Sequence, residues 1–361
     1  MLKRLKDFVL LVYNRMISSP QLDNGFIEVQ PTEEDYKHPT LGGVGSVEKV
    51  VLVEDGQWDN YLPVSEYQNR NNKESMACVN FSLANCIETI LNLFIYLRKQ
   101  GKATKEQLEI LSIFERFEII INDVVNISDR YMAKMSGTTS NGNDQKTAAD
   151  STRHNGLVAE HIWPWADTEN GMWTSNGYYK AIPQEIIDKG KELMKYIDFN
   201  YEWVNPRDFN DAKRYSPIQT SVFAWNGKSG DIYVKTAQSR NHAVENYGYQ
   251  YEAFDKIYDT YLPFEKKVAW NFDLGWGMIF TLHLKNPEYD LSAIRKLIKR
   301  GFRYIMRVDK ANGGKGQIYE LTSDGLVYRD AKEATDIGLT ALADKGDFTG
   351  ISEADFSALI K

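Results

Sequence analysis

The sequence predicts an α+β protein with two lobes and a small C-terminal extension, and three observations predict it. Helical periodicity dominates from Cys78 to about residue 196, short β-type runs replace it beyond Tyr201, and the two kinds of element do not alternate along the chain. Of 361 residues, 42% are apolar and 26% charged, the balance of an ordinary soluble globular chain. At about 150 residues per domain, the length fits roughly two domains. The chain divides into an N-terminal helix and wrapping segment over residues 1–60, a main domain over 61–290, and a small accessory region over 291–361.

The elements follow in order. The N-terminal Met1 to Tyr13 has basic residues before an apolar run, but Asn14-Arg15 interrupts the run and Ile17-Ser-Ser-Pro20 is a poor cleavage site, so it reads as an amphipathic helix packed on the body. No stretch approaches the roughly 20 apolar residues that span a bilayer. Residues 20–62 hold one strand-like run, Val47 to Val53. From Cys78 to about Leu97 the apolar positions surround much of the helix, which places it at the centre of a core. Further helices are expected at about 104–122, 126–136, 145–155 and 183–196. Strands are expected at Thr220–Trp225, Asp231–Lys235, His242–Tyr249, Asp255–Tyr261 and Met278–Leu284, then a helix at about 291–300. Gly316 to Arg329 reads as a hairpin turning at Asp324-Gly325.

Charge and cysteine content narrow the function classes. A net charge of −7 gives no broad basic surface for neutralising phosphates, so no nucleic-acid partner is expected. Cys78 and Cys86 are the two cysteines, and eight residues along one helix separate them by about 12 Å, beyond disulfide reach. That points to a reducing, cytoplasmic compartment. No cysteine and histidine cluster has zinc spacing, and the aspartates from Asp344 to Glu353 lack the spacing of a calcium loop, so no metal or other cofactor is expected.

The chemistry begins at Cys78. With Ser75 as helix N-cap, the thiol falls in the first turn, where unpaired amides and the positive end of the dipole favour a thiolate. Cys86, two turns on, falls on the apolar circumference, as buried cysteines usually do. Of five histidines, His242 heads a strand after a polar bend, where a ring can project into a cleft. Asp259 on the next strand can accept from the ring's other nitrogen.

Taken together these segments resemble the papain-like cysteine peptidases. Ala77-Cys78 through Glu88 is similar to that family's nucleophile helix, and Asn241-His-Ala-Val244 through Tyr247-Gly-Tyr249 to its histidine strand. Asp259-Thr-Tyr261 takes the position of the family's Asn-Ser-Trp, and Gly275-Trp-Gly277 that of its later Gly-Trp-Gly. Ala148 to Trp165, ending in Glu160-His-Ile-Trp-Pro-Trp165, is similar to the stretch between the lobes, and the whole covers about residues 60–285. The departures are Met76-Ala-Cys-Val79 in place of Gly-Ser-Cys-Trp, the missing disulfides, polar Glu245 and Asn246 on the histidine strand, and a gap of 164 residues from Cys78 to His242. They are more similar to papain-like proteins of bacteriophages and prokaryotes than to lysosomal or plant enzymes.

The resemblance implies a papain-like two-lobed fold and hydrolysis of a peptide or protein substrate by Cys78, with His242 as base. It implies Asp259 as the residue that orients the ring, with Asn271 the rival, and Gln68 as the oxyanion donor, with Asn72 the rival. A cell-wall amidase or acyltransferase with the same dyad, or an inert packaged phage protein on the same scaffold, are the competing functions. The C-terminal region reads as an accessory or docking module.

Overall fold

The structure, a computed structural model, describes residues 25–32, 35, 49–70, 73–165, 171–225, 227–235, 239–285, 297–299, 304–307, 317–322, 325–329 and 348–351. The N-terminal amphipathic helix, Asn72, most of the helix near 291–300 and most of the aspartate-rich tail lie outside those residues. The chain divides into two compact units, the first ending at Lys285 and the second beginning at Asn286.

In the first unit, short strands β1 (Asn69–Arg70) and β2 (Lys73–Glu74) pair just ahead of helix α1 (Cys78–Lys99). Seventeen of the 22 residues of α1 are buried, from Cys78 to Ile95. By length and apolarity α1 could cross a membrane, contrary to the reading that no stretch is apolar enough; 94% of its most apolar stretch is buried, which makes it a core helix. Helix α2 (Lys105–Arg116) opens on a capping box in which Thr104 and Gln107 satisfy each other's amides. It ends six residues earlier than the periodicity suggests, because Ile120–Ile121 (β3) and Val124–Val125 (β4) form a hairpin instead. Asn122 and Asp123 both sit at positive φ, as a two-residue type I′ turn requires. Helices α3 (Asp129–Met135) and α4 (Gln145–Asn155) are capped by the Ser128 and Asp144 side chains, and α5 (Gln184–Leu193) follows.

The remaining strands are β5 (Ile197–Val204), β6 (Ile218–Val222), β7 (Lys228–Ser229), β8 (Ile232–Tyr233), β9 (His242–Gln250), β10 (Phe254–Tyr258), β11 (Glu265–Ala269) and β12 (Gly277–Leu284), with the short helix α6 (Phe209–Ala212) between β5 and β6. They make one sheet in the order β5-β12-β6-β9-β10-β11-β8-β7, antiparallel except where β11 meets β8. Strands β5 and β11 were not anticipated. In β11 the charged run Glu265-Lys-Lys hides a strand whose alternate residues are buried. Helix α1 packs on the sheet at β9. Met278, Phe280 and Leu282 of β12 join the core around α1, while Ile279 faces a second cluster with Val222, Val244, Ile257 and Val268.

The segment before α1 wraps this body. Trp58 is fully buried and donates from Nε1 to the Lys213 carbonyl at 2.7 Å. The strand expected at Val47–Val53 is absent among the described residues 49–53, because the amides of Leu52 and Val53 both turn to one loop carbonyl, that of Arg214.

The second unit contains a sheet of β13 (Tyr304–Arg307), β14 (Gln317–Thr322), β15 (Gly325–Arg329) and β16 (Phe348–Ile351) in the order β15-β14-β13-β16. The expected hairpin is β14–β15. Gly325, expected in the turn, belongs to β15 and pairs with Thr322, and Asp324 lies outside the described residues.

Candidate active site

Cys78 is the first residue of α1, and its cap differs from the sequence expectation. Ala77 is the N-cap, and the Ser75 hydroxyl is buried without a hydrogen-bond partner. The Ala77 carbonyl accepts from the amides of Asn80 and Phe81, which leaves the Cys78 amide among the donors that no helix carbonyl reaches. The first turn is pinned to the sheet by Gln219 of β6. Its Nε2 donates to the Val79 carbonyl at 2.6 Å and to Ser82 Oγ at 2.9 Å. Ahead of the helix the backbone turns through Met76 at φ 56°, a left-handed conformation held by its amide donating to Glu74 Oε1 at 2.9 Å.

His242 opens β9 opposite Val222. The bend before it is fixed by Asn241, whose amide donates to the Val222 carbonyl and whose Oδ1 accepts from Ala224. Asp259 follows the last residue of β10, the strand that pairs with β9. His242 Nε2 and Asp259 Oδ1 are 2.6 Å apart, and neither side chain has any exposed surface. Burial disfavours a charged ring, but Asp259, and then Cys78, outweigh it and raise the His242 pKa to about 10. The ring's Nδ1 has no hydrogen-bond partner at rest. Cys78 nevertheless lies near enough to the imidazole to favour its charged form through both hydrogen bonding and charge, so the pair is close without the alignment of a well-formed bond.

Burial would raise the Asp259 pKa, yet Lys266 and His242 bring it well below the ordinary carboxylate range. Its oxygens have four donors. Oδ1 takes His242 and the Thr260 amide at 2.6 Å, and Oδ2 takes Trp225 Nε1 at 2.7 Å and Lys266 Nζ at 2.7 Å. Neither Lys266 nor Trp225 was anticipated. The detectable signal for Lys266 is the alternation in β11, which turns a lysine inward and so requires an anion there. Asn271, the rival acceptor, is exposed and lines a separate cavity with Arg207, Asp255 and Trp270.

Gln68 is fully buried beside this group. Its Oε1 accepts from Thr260 Oγ1 at 2.9 Å, and its Nε2 donates to Glu74 Oε1 at 2.6 Å. Glu74 is a hub: its other oxygen accepts from the Tyr261 hydroxyl, and the Tyr261 ring lies 5.3 Å from the imidazole of His242.

A stretch of the chain itself packs against Met76, two residues ahead of the cysteine. Gly25, at φ 85°, passes so close to Met76 that a Cβ would sit 2.3 Å from the Met76 carbonyl oxygen. Phe26 bridges Asn143 in parallel, the Gly25 carbonyl accepts from the Asn143 amide, and the Ile27 amide donates back to the Asn143 carbonyl. Arg240, two residues before His242, binds Glu28 at 2.6 Å. Cys78 and His242 are both 0% exposed. Among the described residues no group of three or more His, Cys, Asp or Glu is arranged to hold a metal ion.

No protein-family model matches the sequence, and no curated protein is similar to it in sequence. Among solved structures the chain is similar to xylellain, a cysteine protease from Xylella fastidiosa, with 16% identity and a TM-score of 0.42 over 71% of this chain and 94% of that one. It is also similar to digestive procathepsin L 3 of Tenebrio molitor larval midgut, with 11% identity and a TM-score of 0.39 over 62% of this chain and 68% of that one. The proCathepsin B S9 from Trypanosoma congolense aligns at 14% identity and a TM-score of 0.38 over 74% and 86%. These three are papain-like cysteine proteases, and none is a bacteriophage protein.

Proposed function

We propose that the chain is a cysteine-type endopeptidase in which Cys78 is the nucleophile and His242 its base and acid. The observation that carries this reading is the buried 2.6 Å contact of His242 with Asp259, beside a cysteine at the first position of a 22-residue helix. The Cys78 thiolate attacks the carbonyl carbon of a peptide bond, forming a carbon–sulfur bond and pushing the carbonyl electrons onto oxygen. The free Cys78 amide and the Gln68 amide hold that oxyanion, and for this Gln68 exchanges Glu74 for substrate. As the carbon–nitrogen bond breaks, the His242 imidazolium gives its proton to the leaving amine. Water then attacks the thioester, His242 takes its proton, and the carboxylic product leaves with the thiolate restored. Asp259 orients the ring throughout without itself taking the proton. The substrate is a peptide or protein, and with both cysteines free the chain would work in a reducing compartment such as the cytoplasm.

The test is mass spectrometry of the full chain after treatment with an epoxide-type inhibitor of thiol peptidases. An adduct on Cys78 and not Cys86, lost in His242→Ala, supports the reading; equal labelling of both cysteines sinks it. Complete burial of Cys78 and His242 favours one second reading, an inert protein on the same scaffold. A folded chain that takes up no inhibitor and cleaves no peptide would establish it.

A further inference from the structure

Catalysis as proposed uses Cys78, His242, Asp259 and Gln68 and leaves a buried lysine at the same site without a role. In β11, Lys266 and Val268 are buried while Glu265 and Lys267 are exposed. The Lys266 ammonium has no exposed surface and three acceptors: Asp259 Oδ2 at 2.7 Å, the Tyr261 carbonyl at 2.6 Å and the Pro263 carbonyl at 2.5 Å. Three acceptors saturate an ammonium, so its place is fixed. The Trp225 ring, which also donates to Asp259, lies 5.1 Å from the same nitrogen.

The acceptor in the family that the motifs resemble is a neutral amide, and here it is a buried carboxylate. A lone buried carboxylate against an imidazole would be costly to desolvate and would deepen the proton's well on the ring. An imidazolium held too tightly is a poor acid towards a leaving amine. A second cation on the carboxylate's other oxygen reduces both costs.

We propose that Lys266 is a positioning residue of this site: it offsets part of the charge of Asp259, so that the carboxylate orients His242 while holding the ring's proton less tightly than it would alone. Its role in turnover rests on the peptidase reading; its electrostatic hold on His242 does not. The other titratable and charged groups facing the assembly are Cys78 and Tyr261 on the histidine side, Glu74 at the Tyr261 hydroxyl, and Lys228 near Lys266. They are common to every variant below, so differences between variants isolate the pair.

The experiment is an NMR titration of the His242 ring in the full chain, run beside peptide hydrolysis, on the wild type, Lys266→Met, Asp259→Asn and the double variant. The midpoint is expected to rise by about 1 pH unit in Lys266→Met, which unmasks Asp259, and to fall furthest in Asp259→Asn, which unmasks Lys266. The double variant should lie between Asp259→Asn and the wild type. Lys266→Met should also lose about a hundredfold in kcat/KM, and the double variant should regain part of what either single change costs. A merely structural lysine would predict no such rescue. An unmoved midpoint in folded Lys266→Met overturns the proposal. Should that variant not fold, equal midpoints in Asp259→Asn and the double variant overturn it as well. A wild type that hydrolyses no peptide while the midpoints move in the stated order sinks the peptidase reading alone.

Discussion

Two lysines are buried among the described residues, and each meets an aspartate at one end of β10. Lys213 binds Asp255 near the strand's start at 2.9 Å, and Lys266 binds Asp259 just past its end at 2.7 Å. Around Lys213 the acceptors close on themselves. Its ammonium also reaches Asn246 Oδ1 at 3.2 Å and the Gly248 carbonyl at 3.3 Å, and Asn246 Nδ2 donates back to the same Asp255 oxygen. Its own carbonyl holds the Trp58 indole, so this pair ties the wrapping segment to β9 and β10. Around Lys266 the carboxylate keeps one oxygen for an imidazole. The chemistry of the two ion pairs is alike, and the group on the aspartate's remaining oxygen separates a fastener from a candidate catalytic part.

The largest expected difference is between the aspartates. Asp259→Ala should lower kcat by about 10³- to 10⁴-fold, whereas Asp255→Ala, corrected for its folded fraction by active-site titration, should hydrolyse peptide near the wild-type rate. Comparable losses per folded molecule would erase the distinction. Next comes Lys213→Met, which leaves Asp255 buried and unpaired and should cost about 3–5 kcal/mol in urea unfolding while the His242 titration stays in place.

Glu245 sharpens the comparison, because it lies on β9 between the two sites and its Oε2 has no partner. Burial lifts its pKa to about 8, against the pull of the Thr89 hydroxyl on Oε1. The folded state thus holds a proton that the unfolded chain releases near pH 4.5, so this group's stabilisation is complete in acid and is lost as pH rises towards 8. Glu245→Gln should remove that decline, worth on the order of 5 kcal/mol by pH 9 when unfolding curves of the two proteins are compared. A constant difference between them from pH 4 to 9 would contradict it. The smallest effect concerns access, which matters at Cys78 and not at Lys213. Phe26→Ala should loosen the stretch bridged to Asn143 and raise the rate of Cys78 alkylation roughly severalfold, by up to about 1.4 kcal/mol.

Helix α1 and strand β9 were legible because burial writes itself into local patterns: an apolar circumference in one, a histidine after a polar bend in the other. Glu245 and Asn246 read as misfits on that strand, and their partners explain them, Thr89 for the first and Lys213 with Asp255 for the second. The apolar pattern of α2 continues through Glu118-Ile-Ile-Ile121 beyond the end of the helix, while the positive φ at Asn122 and Asp123 turns the chain into a hairpin. Ser75 is a good N-cap by residue type, yet Ala77 takes that place, because cap geometry depends on the left-handed turn at Met76.

By itself the sequence determined the α+β class, the order of the main elements, and Cys78, His242 and Asp259 as the groups to watch, since each belongs to a local pattern of spacing and residue type. The tertiary structure alone decided that Lys266 and Trp225 complete the acceptor, that Gln68 rests on Glu74, and that the stretch from Gly25 packs on Met76 and Asn143 and holds Arg240 through Glu28. Glu28 and its partner Arg240 are 212 residues apart along the chain, and Trp225 and Asp259 are 34 apart. A buried charge specifies that it must be matched and leaves the identity of its partner to whichever side chain the fold brings within about 3 Å.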